Sequence, residues 1–201
     1  MRTVKLFFFI FISFFSNSQS SHFNEDSIKK YFLVELDSFR KGLYPSVPDV
    51  IVNENASIAC KHHNEYMTNM VKPNYFFCSH GEFQSDKGFT YVGSDTLISN
   101  FANRIKYYNT NKDFSPYGEV IVGEFLNLYI KNKRTNEYLA KNLFLDLKES
   151  SEHNKILSNF GYNVVAIDVK IFNNIIYVTM VVGVIIEKSE DGKIVIIKNK
   201  I

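Results

Sequence analysis

The pattern of apolar positions divides the chain into a short hydrophobic leader, a helical first half, a punctuated middle and a β-branched end. Ile28, Phe32, Leu36, Phe39 and Leu43 recur at spacings of three and four, which places them on one stripe of a helix. Gly42 and the prolines Pro45 and Pro48 end it. A second stripe, Ala56, Ala59, Cys60, His63, Met67 and Met70, predicts a helix that Asn53 or Asn55 caps by accepting a backbone N–H and that Pro73 closes. Residues 74–118 carry Tyr, Asn, Ser and Gly punctuation around one weaker helical run, Leu97 to Tyr107. Thr135 caps a third helix, with Ala140, Leu143, Phe144 and Leu147 on one face. Beyond His153 the period changes. Val164, Ala166, Val169 and Ile171 belong to a β-branched run, Asn173-Asn174 supplies a turn, and Ile175 to Ile186 is a second run. Asp191-Gly192 then separates a third, Lys193 to Lys198. Helices first and strands last predict an α+β fold with a three-stranded antiparallel meander, not alternating βαβ units.

Composition changes this picture mainly at the start. Six of the 19 Phe fall within the first fifteen residues, behind Arg2 and Lys5 and ahead of Ser16-Asn17-Ser18. A basic n-region, a ten-residue apolar core and a small-residue exit predict a cleaved secretory signal over residues 1–18. The core is too short to span a bilayer, which takes about 20 residues, so the mature chain is expected to have no transmembrane segment. Residues 19–26 read as a polar leader. Without Arg2 and Lys5 the chain holds 21 basic against 21 acidic residues. A neutral surface of mixed charge argues against nucleic acid as a partner. Export, to periplasm or medium, also makes a disulfide the expected state of the two cysteines, Cys60 and Cys78.

Four short motifs occur in order: a helix reading Ala59-Cys60-Lys61-His62-His63-Asn64-Glu65-Tyr66-Met67, then Phe77-Cys78-Ser79-His80, then Gly118-Glu119-Val120-Ile121, then Leu147-Lys148-Glu149-Ser150-Ser151-Glu152-His153. The succession resembles the CAP superfamily, also called SCP or the cysteine-rich secretory protein, antigen 5 and pathogenesis-related type, as a divergent bacterial-type member. The resemblance covers about residues 27–184, leaving 185–201 as a C-terminal strand extension of the same domain. The chain departs from the family pattern at Leu147, where Trp is usual, at Val120, where Asn is usual, and at Ser151-Glu152, where Pro-Gly is usual. What the resemblance implies is an α-β-α sandwich around a central antiparallel sheet of three or slightly more strands, and a groove lined by His80, Glu119 and His153. It admits a divalent metal such as zinc between His80 and His153, and Glu149, Ser150 or Glu152 as a fourth groove residue.

Each candidate has a plain structural reading beside the functional one. His80 and Glu119 can be a hydrogen-bonded pair tying loops together, and His153 a residue favoured by the C-terminal dipole of the third helix. His63 reads as a core histidine, His62 and His22 as solvated, and the Tyr75-Phe76-Phe77 and Tyr107-Tyr108 clusters as core or rim. No Gly-x-Ser-x-Gly, His-Glu-x-x-His or phosphate loop is present. The sequence therefore points to a secreted module binding a small molecule, lipid or protein without catalysis. A metal-dependent hydrolase with Glu119 as general base and a structural envelope protein with a relic groove are the alternatives.

Overall fold

The computed structural model describes residues 22–71, 77–81, 100–188 and 194–196. The stretches predicted as a signal sequence and as the Asp191-Gly192 turn, the first residues of the run from Leu97, Pro73 and Tyr75-Phe76 lie outside them.

Among the described residues, six helices and five strands follow one another in the order α1 (Glu25–Leu43), β1 (Ile51–Val52), α2 (Glu54–Asn69), α3 (Phe101–Tyr108), β2 (Phe114–Phe125), α4 (Asn127–Lys131), α5 (Asn136–Glu149), α6 (Ser151–Leu157), β3 (Val164–Phe172), β4 (Ile175–Lys188) and β5 (Ile194–Ile196). Asn24, Asn53, Asn100 and Thr135 cap α1, α2, α3 and α5, each side chain accepting a backbone N–H three residues on. The choice between Asn53 and Asn55 is settled for Asn53. The polar leader is shorter than its sequence suggests, because Phe23 is buried and α1 begins at Glu25.

β3 and β4 form the expected hairpin, and both turn residues, Asn173 and Asn174, take positive φ, as a tight two-residue connection requires. β5 pairs antiparallel with β4 beyond the stretch that β3 covers. The sheet is nevertheless not a three-stranded antiparallel meander. Its order is β1-β3-β4-β2, with β1 parallel to β3 and β2 antiparallel along nearly all of β4. The strand β2 crosses a stretch whose sequence shows Pro and Gly punctuation. The register shift between Pro116 and Gly118 absorbs that punctuation as a bulge.

Helices cover both faces of the sheet. α1, α5 and α6 pack Ile28, Phe32, Leu36, Leu143, Phe144 and Leu157 on Val120, Val165, Ile167, Val178 and Met180. On the opposite face α2 and α3 place Ala56, Ala59, Cys60 and Ile105 on Val164, Ala166 and Val181. Alternate residues of β2, β3 and β4 thus serve opposite layers, and Glu119, next to Val120, points toward α3. The continuation of the α1 stripe is the fully buried Arg40, which donates to the Tyr162 carbonyl at 2.6 Å with its guanidinium 4.1 Å from the Tyr162 ring centroid.

The predicted Cys60–Cys78 disulfide does not form; both residues are free thiols. Cys60 lies under α2 with its thiol toward the Ala166 carbonyl, 3.4 Å away, so it is a core residue of the α2–β3 contact. Burial holds its thiol well above the ordinary range. Desolvation, with Glu119 as a smaller cause, pushes the Cys78 thiol up to about 11.

Candidate functional site

The site assembles at the β2 margin of the sheet, where three elements and the segment 77–81 meet. β2 contributes Glu119, α3 contributes Arg104, α6 contributes His153, and the segment contributes His80. His80 Nδ1 lies 2.9 Å from Glu119 Oε2, and the His80 and His153 ring centroids are 5.8 Å apart at an interplanar angle of 48°. The three residues expected to line a groove are therefore brought together. Their environments differ: the His80 side chain is 55% exposed, His153 is half-buried and the Glu119 side chain is 1% exposed.

Arg104 is the residue that sequence reasoning missed. It is buried with the carboxylate, its Nη2 paired to Glu119 Oε1, while Nη1 donates to the His80 carbonyl at 3.0 Å. Its only sequence signal is a basic residue inside an otherwise weakly apolar helical run, which surface arginines share. Burial drives the Glu119 pKa up, but the His80 hydrogen bond and the Arg104 charge outweigh it and hold the carboxyl below its usual range. His63, buried in α2 as expected of a core histidine, donates from Nε2 to the Ser79 carbonyl at 2.7 Å. Segment 77–81 is thus fastened from α2, α3 and β2 at once.

His153 sits differently from the expectation that the end of the third helix favours it. Ser150 ends α5 and starts the separate helix α6, so His153 lies in a first helical turn, where the dipole disfavours a cation. Desolvation and the neighbouring His80 lower its pKa. Gly118 lets α6 come this close: a Cβ there would stand 3.1–3.3 Å from the side chain of Ile156.

The donor set does not fit a resident zinc. Both Glu119 oxygens are engaged, Glu149 and Glu152 are exposed, and Ser150 serves as the link between α5 and α6. Among the described residues no three His, Cys, Asp or Glu side chains are placed to hold a metal ion, and two imidazoles fall short of the three or four protein ligands of ordinary zinc sites. Glu119 is equally ill-suited as a general base, since a buried carboxylate paired with arginine is both inaccessible to water and weakly basic. Its place behind His80 is that of an orienting partner. Ser79 Oγ turns back to the Gly81 backbone and has no part in the His80–Glu119 pair.

No protein-family model matches the chain, and no curated protein matches it in sequence. Among solved structures it is similar to an outer surface protein from Borrelia burgdorferi, with 14% identity and a TM-score of 0.50 over 79% of this chain and 92% of that one. A second similar structure is an extracellular protein containing an SCP domain from Bacillus anthracis, with 16% identity and a TM-score of 0.48 over 78% of this chain and 41% of that one. At such identities the likeness to the Borrelia protein concerns the fold. No helix among the described residues is long and apolar enough to cross a membrane.

Proposed function

We propose that this chain is an exported CAP/SCP-like domain protein, periplasmic or extracellular, whose groove at His80 and His153 binds a ligand or partner without catalysis. The observation that carries the reading is the meeting of two imidazoles from separate parts of the chain, one of them solvent-facing, above a buried and charge-balanced Glu119–Arg104 pair. A purely structural tie needs the His80–Glu119 bond but not the second imidazole, which makes no hydrogen bond among the described residues and loses hydration where it sits. Helices on both faces of a mixed sheet and the four ordered motifs support the SCP-like assignment. The signal-like leader and the similarity to a protein described as an outer surface protein support export. Small molecule, lipid and protein all remain within the proposed ligand class, and nucleic acid stays outside it on charge grounds.

Two measurements test it. Native mass spectrometry of the protein recovered from its own cells is expected to show a bound species that the His80→Ala, His153→Ala double variant lacks; an identical mass spectrum for both proteins, apart from the substitutions, removes the groove as the binding site. Calorimetric titration of zinc into the protein and into each single alanine variant addresses the metal. We expect weak, exchangeable binding that both substitutions abolish, as two imidazole donors allow, and equal binding in all three would place any zinc elsewhere.

A further inference from the structure

We propose that Glu119, paired with Arg104, fixes His80 with its proton on Nδ1, so that the groove offers the bare lone pair of His80 Nε2 and takes its ligand through a hydrogen-bond donor, an ammonium or hydroxyl group, rather than through an anion. The ligand class rests on the proposed groove; the position of the proton does not.

Arg104 carries a guanidinium that stays charged in any protein. It is 1% exposed, and its two terminal nitrogens reach Glu119 Oε1 and the His80 carbonyl. Glu119, itself buried, pairs with it through Oε1. Protonating Glu119 would remove a negative charge from beside a buried cation, which is strongly unfavourable. Glu119 is therefore a carboxylate, and an ionised carboxylate only accepts hydrogen bonds. Its second oxygen already faces His80 Nδ1 at 2.9 Å, so the hydrogen in that contact belongs to the imidazole. A neutral imidazole with its proton on Nδ1 has an acceptor at Nε2. That nitrogen belongs to a ring more than half exposed and has no hydrogen-bond partner among the described residues, and the ring's centroid is 5.8 Å from that of His153.

Charge points the same way. Glu119 and Arg104 offset one another, and at a pH where the imidazoles are neutral the two rings add no charge that draws in a carboxylate or phosphate, whose oxygens would meet the Nε2 lone pair head on. An ammonium or hydroxyl instead supplies the missing hydrogen. Arg104 and Glu119 act here as positioning residues, through His80, not by touching the ligand.

Long-range proton–nitrogen NMR on the chelator-treated protein labelled with 15N-histidine, at a pH where imidazoles are neutral, reads the tautomer directly. His80→Gln, by removing one ring's signals, assigns them. The expected pattern is protonated Nδ1 and bare Nε2 for His80; a protonated Nε2 overturns the proposal whatever the groove binds. Glu119→Gln is expected to release His80 into a mixture of tautomers while the other histidine signals hold their positions, and an unchanged His80 pattern in that folded variant also overturns it. For the ligand class, methylammonium and acetate are titrated separately at equal concentration. A larger shift of the His80 ring signals with methylammonium is expected; a larger shift with acetate, or no difference, defeats the donor assignment. Because the tautomer is measured without ligand, its outcome is independent of whether the groove reading survives.

Discussion

Arg104 and Glu119 illustrate how a single buried pair can set the character of a site. Replacing Arg104 by Met leaves the Glu119 carboxylate buried without its cation, a change expected to cost about 3–5 kcal/mol. Joint replacement of Arg104 and Glu119 by Met and Leu is expected to recover much of that, because no uncompensated charge remains. Urea unfolding of the two variants, compared by midpoint at constant slope, measures both; a single variant as stable as the parent would refute the pairing. His153 yields a pH dependence. Its folded pKa lies below the unfolded one, so the unfolded chain takes up the proton first as pH falls, and stability should decline as pH drops through 6.5, the ordinary histidine value. Glu119 adds a second loss at lower pH, since its depressed folded pKa stabilises the fold above the ordinary carboxylate value of 4.5 and that contribution disappears on acidification. The melting temperature of His153→Asn should fall less than that of the parent across the histidine range and fall equally across the carboxylate range.

At the scale of elements, the placement of His153 depends on how closely α6 approaches β2. Gly118 permits this approach, and Gly118→Ala pushes a methyl into Ile156 at 3.1–3.3 Å. Overpacking of this kind costs about 1–3 kcal/mol, and here it should also separate His153 from His80. Pairing it with Ile156→Val is expected to restore part of the stability and the perturbed His153 pKa, both readable by proton NMR titration. A Gly118→Ala protein with an unshifted His153 would show that α6 is placed by its other contacts. The strand β2 itself was hidden in the sequence by a physical cause. Val120, Ile121 and Val122 are buried on alternate faces against different helix layers, so the strand shows no polar alternation, while Pro116 and Gly118 look like loop punctuation until the bulge accommodates them. The hairpin β3–β4, by contrast, carries its own turn signal in Asn173-Asn174.

For the molecule as a whole, the three-layer arrangement puts its two cysteines to different uses. Cys60 is sealed between α2 and β3, whereas Cys78 is an exposed residue of the segment that carries His80. In the absence of reductant, a thiol reagent should titrate two free thiols in denaturant. Under native conditions Cys60 should react only at the rate of unfolding, because its thiol is buried and poorly ionised. Fewer than two thiols in denaturant would restore the Cys60–Cys78 disulfide expected from the sequence.

What the amino-acid sequence determined by itself is local. The amphipathic stripe of α1, the Asn and Thr caps and the hairpin turn follow from residues near one another, whereas the grouping of His80, Glu119 and His153 is an expectation from the resemblance that short motifs in order carry. What only the tertiary structure decided is non-local. Arg104 becomes the partner of Glu119 because α3 folds over the face of the sheet that Glu119 points to. Arg40 occupies an apolar stripe position because Tyr162, 122 residues away, receives it. The division of α5 from α6 at Ser150 turns His153 from a helix-end residue into a first-turn one. Caps and periodicities are properties of a few adjacent residues, whereas a buried charge is stabilised by whatever the fold brings beside it, and no local pattern encodes that partner.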